Sequence, residues 1–144
     1  MFSLTRKFDY TLIALSELAD RAPERVSARD ITTRREIPLS ILTNVLNQLA
    51  HSGLIASSRG IKGGYTLVRS AEKVNVVEVI EAIVVPFHLT ACSVPRSEYP
   101  AAYCDYFDRR RIEDLAHQVH EIIHDLLCHV TMADLADNHL PTGL

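Results

Sequence analysis

The stretch Ser58-Arg59-Gly60-Ile61-Lys62-Gly63-Gly64-Tyr65-Thr66-Leu67 decides how the rest of the chain is read. A short strand-like run, Leu54-Ile55-Ala56-Ser57, precedes it, and another runs through Leu67 and Val68. Three glycines, two cations and a hydroxyl at a hairpin tip make a flexible, positively charged finger. Glycine tolerates φ > 0 and lets backbone approach a bulky partner. Arg59 and Lys62 supply charge for phosphates or base edges. A glycine-rich turn also suggests a nucleotide-binding loop, but the spacing fits neither GxGxxG nor GxxxxGK[ST]. Taken alone, the stretch is equally an ordinary hairpin. The helices before it decide between these readings.

Upstream, Phe8, Leu12, Leu15 and Ala19 recur at helical spacing and predict a helix over 5–20. Asp9 lies away from much of that stripe and reads most simply as a first-turn acid complementing the helix dipole. Ala22-Pro23-Glu24-Arg25 is a turn, and Val26-Ser27 opens a second helix to about Arg35. Ser27 and Asp30 form a capping-box-like start. Ile37-Pro38 stops this helix, because the residue before proline avoids the α region. A third helix runs from about Pro38 to Ser52, burying Leu42, Val45, Leu46 and Leu49, with Gly53 as its C′ residue. Its other face carries Ser40, Thr43, Asn44, Asn47 and His51, small polar groups without acids that suit a DNA groove or water alike.

Helix, helix-turn-helix, strand, basic glycine-rich hairpin, strand is the order of a winged helix-turn-helix. The third helix would enter the major groove, and the hairpin would reach the flanking backbone or minor groove. Ser40, Thr43, Asn44, Ser58, Arg59, Gly60, Lys62 and Gly63 are the candidate DNA contacts.

Composition agrees after the chain is divided. The 144 residues are 47% hydrophobic, enough for a core, and the net charge is −3. Residues 1–73 hold 11 of the 15 Lys and Arg, giving +4 with their acids, and residues 74–144 carry −7. The basic half, with the finger, suits a polyanion. No apolar run approaches the roughly 20 residues of a membrane span. Met1-Phe2-Ser3-Leu4-Thr5-Arg6-Lys7 lacks an apolar core and cleavage site, so a cytoplasmic protein without membrane partners is expected. Its three cysteines are then thiols or metal ligands rather than a disulfide frame.

Beyond the hairpin, Asn75 and Glu78 cap a short apolar helix that ends at Val84-Val85-Pro86 and should lie in the core. The following stretch to Asp108 is aperiodic and holds Cys92 and Cys104; loops of this length are usually functional or disordered. From about Asp108 to Val130, Leu115, Val119, Ile122, Ile123, Leu126, Leu127 and Val130 stripe one helix of about 30 Å. So long a helix finds its cover in a second copy, and a two-fold dimer presents two recognition helices. Thr131 and Asp134 cap a last short helix before a loose tail. Opposite the apolar stripe lie His117, His120, His124 and Cys128, read as a His-rich solvent face or, through i, i+4 pairs, a metal chelator. The expected class is therefore mainly α with a small β-hairpin. A winged helix-turn-helix (1–85), a cysteine-containing loop (86–107) and a dimerisation helix with tail (108–144) divide the chain.

Ile37-Pro38-Leu39-Ser40-Ile41-Leu42, Leu46, Leu49, Gly53-Leu54-Ile55 and the Arg-Gly-x-x-Gly-Gly-Tyr-x-Leu hairpin resemble the IscR/NsrR-type bacterial transcriptional regulators of the Rrf family, over about residues 4–132. The resemblance implies a homodimer on a double-stranded DNA operator. Many such proteins hold an iron–sulfur cluster with three loop cysteines. Cys92 and Cys104 match the first and third, Glu98 takes the middle position, and Phe107 stands where some relatives have a histidine. In others an acid of the partner's first helix ligates, which implies Asp9. Glu98, His88 or Asp105 could complete the set, and a [2Fe-2S] cluster is favoured over [4Fe-4S], although the partner histidine of such relatives aligns near Ile13. Thiolates suit iron–sulfur clusters, and a harder oxygen ligand alters potential and lability. Ser40 and Thr43 occupy DNA-contacting positions; some relatives carry Tyr and Glu in place of Ile41 and Thr43.

Three functions are thus in view: a regulator sensing redox state, iron or nitric oxide through a cluster; a cluster-free regulator switched by thiol oxidation or a small ligand; and, remotely, a metal-dependent enzyme. For the last, the chain offers no nucleophile–base arrangement.

Overall fold

The computed structural model describes residues 6–84 and 109–137. Helix α1 spans Arg6–Asp20, α2 Ala28–Arg35 and α3 Leu39–His51. A two-stranded antiparallel hairpin follows, β1 Ile55–Ser58 with β2 Gly64–Leu67, in the register Ile55–Leu67 to Ser58–Gly64. After a 3-10 turn at Ala71–Lys73 come α4 (Val76–Ile83), α5 (Arg109–Cys128) and α6 (Met132–Ala136). The mainly helical chain with one small hairpin is the expected architecture.

Local chemistry accounts for the boundaries. The Ser27 hydroxyl accepts the Asp30 N–H at 3.1 Å, and the Asp30 carboxylate accepts the Ser27 N–H at 3.4 Å, closing the capping box of α2. Asn75 with Glu78 and Thr131 with Asp134 repeat the device at α4 and α6. α2 ends at Arg35, and Glu36 takes a left-handed conformation with φ 54°. α2 thus ends where the sequence places it, with Glu36 turning the chain just before Ile37-Pro38. Gly53, at φ 78°, ends α3 in the conformation that glycine adopts freely.

The core gathers Phe8, Ala14, Leu15 and Leu18 of α1, Ile31 of α2, the Leu42, Val45, Leu46 and Leu49 stripe of α3, and Val76, Val79, Ile80 and Ile83 of α4. Val130 and Met132 belong to the same core, and Met132 is fully buried. α6 packs against α1 and the 3-10 turn. The Val76 N–H donates to Val130 O at 2.9 Å, and the Met132 N–H donates to Val74 O at 2.9 Å. The segment after α5 thus returns to the winged unit rather than trailing from it.

A second departure lies at Val26. It does not open α2. It bridges Tyr65 in antiparallel fashion and so adds one rung to the β2 edge of the hairpin.

The third is the orientation of α5, which packs on α4. His120 is only 8% exposed, and His124 and Cys128 are half-buried. Of the histidine stripe only His117 faces solvent; His120, His124 and Cys128 turn inward. The apolar stripe divides instead. Ile123 and Leu127 are half-buried, while Leu115, Val119, Ile122 and Leu126 are exposed, Ile122 by 67%. On a helix, residues three and four apart share a face, so these four form one continuous outward ridge.

Candidate nucleic-acid interface

α3 is held by its buried stripe, which leaves Ser40, Ile41, Asn44 and Asn47 exposed. The side chains of Ser40 and Asn44 have no hydrogen-bond partner among the described residues and are available for a ligand. Thr43 differs, because its hydroxyl donates to Leu39 O at 2.8 Å within the helix. Its proton is already used, so an acceptor role remains for it. His51 likewise turns back, its Nδ1 2.9 Å from Asn47 O. A hollow of about 230 Å³ lies between α3 and the start of α1, lined by Lys7, Ser40, Ile41 and Asn44. Ile41 was not among the expected contacts. Its signal was an apolar residue on the polar face, which reading by residue type passes over.

The hairpin tip is built by its glycines. The Gly63 N–H donates to Gly60 O at 2.9 Å, closing the turn. Gly60 has φ 117°, which favours glycine. A Cβ on Gly63 would stand 2.5 Å from Ser58 O and 2.8 Å from Gly60 O. Arg59, Ile61 and Lys62 are exposed, and Ser58 is half-buried at the end of β1. Neither cation is paired within the described residues. The turn end of β2 is fixed by the Val26–Tyr65 bridge, and Arg69, past the other end of β2, pairs with Glu78 at 2.8 Å.

α1 links this surface to the remaining candidates. Glu17, buried, pairs with Nε of Arg35 at the end of α2 at 2.5 Å. Asp9, two turns earlier on α1, is exposed and has no hydrogen bond or ion pair among the described residues. Cys92, Glu98 and Cys104, with His88 and Asp105, lie outside the described residues. On α5, the Cys128 Sγ is 3.6 Å from His124 Nδ1. Burial, aided by Asp125, Glu81 and Glu78, pushes the Cys128 thiol up, which opposes the thiolate a metal needs. Among the described residues, no group of three or more His, Cys, Asp or Glu is gathered to hold a metal.

Residues 4–138 match the family model of Rrf2, described as iron-dependent transcriptional regulators. The chain belongs to the Rrf2 family. Its Rrf2-type relatives include the HTH-type ORF2 of Azotobacter vinelandii, 35% identical over 92% of this chain and 77% of that one. The IscR regulator of Pectobacterium atrosepticum is 32% identical over 94% of this chain and 79% of its own length. Among solved structures, CymR, the global cysteine regulator of B. subtilis, superposes with a TM-score of 0.73 at 22% identity, covering 96% of this chain and 98% of its own. IscR of T. potens gives 0.70 at 22% identity, over 95% and 88%. These two likenesses show the fold. Rrf2 membership makes the chain a transcriptional regulator of DNA-binding type rather than an enzyme. No helix among the described residues is long and apolar enough to cross a membrane.

Proposed function

We propose that the chain is a cytoplasmic, homodimeric repressor or activator whose hold on a double-stranded operator is set by an iron–sulfur cluster. α3 enters the major groove with Ser40 and Asn44 toward base edges and Thr43 as an acceptor. Ser58, Arg59, Gly60, Lys62 and Gly63 meet the flanking backbone. The exposed Leu115, Val119, Ile122 and Leu126 ridge of α5 is covered by the same ridge of a second copy.

Cys92, Cys104 and Glu98 of one chain, with Asp9 of the other, would hold the cluster, [2Fe-2S] by preference. The donor chemistry fits: two thiolates with oxygen donors suit an iron–sulfur centre of labile or redox-active kind. The observation that carries this reading is Asp9, an exposed and unpaired carboxylate on the helix whose Glu17 braces the helix-turn-helix through Arg35. When bound, the cluster supplies a one-electron couple and a charge that changes with its state. Asp9, drawn into a ligand set or released, biases α1, and α1 carries the bias to α2.

Anaerobic purification tests the proposal. Coloured protein with iron and sulfide in stoichiometric amounts is expected, bleached by Cys104→Ala and weakened by Asp9→Ala. Colourless protein that cannot be reconstituted sinks it. A Cys92–Cys104 bridge found by mass spectrometry after air exposure of such colourless protein supports the thiol switch instead.

A further inference from the structure

The hollow between α1 and α3 holds an apolar side chain where a base-reading face should be polar. Ile41 is 39% exposed, and Lys7, Ser40 and Asn44 surround it. Nothing in the core requires an isoleucine there, since the buried stripe of α3 is complete in Leu42, Val45, Leu46 and Leu49. Ile41 and Asn44 are three residues apart, so their Cβ atoms lie roughly 5–6 Å from each other on one face. Asn44 has a free carboxamide, and Ile41 offers only methyl and methylene groups.

The two chemistries are complementary to the two halves of one base-pair edge. In the major groove adenine presents N7 as acceptor and N6–H₂ as donor, while its partner thymine presents O4 and the C5-methyl group. A carboxamide pairs bidentately with adenine, and an apolar side chain packs on the thymine methyl. No other base pair offers a methyl group. We infer that Ile41 and Asn44 together read a single A·T pair in each half-site, Asn44 on adenine N7 and N6 and Ile41 on the thymine C5-methyl. Lys7, at the rim, faces the phosphate beside that pair. The inference rests on α3 being the recognition helix, and it makes Ile41 a specificity-determining residue.

The test uses the full chain. A high-affinity duplex is first selected by the protein from a random-sequence library. Each thymine is then replaced singly by deoxyuridine, which lacks only the methyl, and each adenine by 7-deazaadenine, which lacks the N7 acceptor. Affinities are compared at one fixed salt concentration. One A·T pair per half-site should respond to both changes: roughly fourfold weaker with deoxyuridine, the value of one buried methyl-sized group, and roughly tenfold weaker with 7-deazaadenine. Ile41→Ala should bind the thymine and uracil duplexes alike, whereas Ile41→Val should keep most of the preference. Asn44→Ala should erase the 7-deazaadenine effect. Leu39→Ala, exposed on α3 but outside the hollow, should leave both effects in place. Deoxyuridine tolerated at every position, or a uracil penalty undiminished in Ile41→Ala, overturns the inference while DNA binding stands. Failure of the library to yield any bound duplex overturns the DNA-binding reading as well.

Discussion

Val26 and Tyr65 exchange both of their backbone hydrogen bonds: the Val26 N–H donates to Tyr65 O at 3.0 Å, and the Tyr65 N–H to Val26 O at 2.9 Å. This rung joins the residue just before α2 to the second strand of the hairpin. A two-stranded ribbon on its own is marginal in water. The rung, with Val26 fully buried, anchors the ribbon to the helix-turn-helix.

Gly64→Ala should therefore loosen the hairpin. A Cβ at Gly64 would stand 2.8 Å from Val26 O and 2.9 Å from its carbonyl carbon, both backbone atoms that cannot swing aside. Overpacking of this kind costs about 1–3 kcal/mol. Urea unfolding should show that loss, and affinity for the selected duplex should fall with it.

Arg59→Ala concerns binding and not folding, because the side chain is exposed and makes no ion pair within the described residues. Affinity should weaken similarly across DNA sequences. The slope of log affinity against log salt should drop by about one. An unchanged slope would remove Arg59 from the phosphate contacts.

Arg35→Ala should destabilise the fold by about 1–2 kcal/mol, since the buried Glu17 carboxylate would lose a charged hydrogen-bond partner. The figure is kept low because the Arg35 side chain is 45% exposed and partly screened. Glu17→Gln should cost less, as it leaves no buried charge. Equal losses in the two variants would show that the ion pair is not the cause.

Ile122→Glu combined with Leu126→Glu should yield a folded monomer. Both residues point away from the core, so helical content should persist by circular dichroism while sedimentation reports a single chain. Dimers that survive both charges would move the interface off α5.

The α2 cap gives a pH signature. The Ser27 side-chain hydrogen bond holds Asp30 below the ordinary aspartate value of 3.8, outweighing an opposing desolvation, with help from the Ser27 N–H, Arg21 and Arg34. A depressed carboxyl stabilises the fold above its ordinary value and ceases to do so as the pH falls through its folded one. Asp30→Asn should thus be less stable than the parent at neutral pH, with the gap closing as the pH is lowered through 3.8 and below. A gap independent of pH would assign the loss to shape and not charge.

Much of this was legible beforehand because the signals are local. Three capping boxes, the α3 stripe and the Gly53 stop depend on residues within one helical turn of each other. What escaped was long-range. Val26 reads as the start of α2 because a single strand residue has no period. Nothing near Met132 in sequence shows the space under α1 that it fills. Periodicity separates the two faces of α5 without saying which one a neighbour covers. In the site, Arg59 and Asn44 could be picked out by residue type, but Thr43 could not be discounted as a donor without seeing its hydroxyl on Leu39 O.

Val130 and Met132 also set the order in which the protein can be made. On the ribosome the first four helices and the hairpin are all synthesised before residue 85, and a domain whose core were local could close at that point. This one cannot. The seat between α1 and the Ala71–Lys73 turn stays open until residue 132 has emerged, some 50 residues after Ile83. The nascent helix-turn-helix and hairpin therefore gain their last core residues only when the segment beyond α5 has been made.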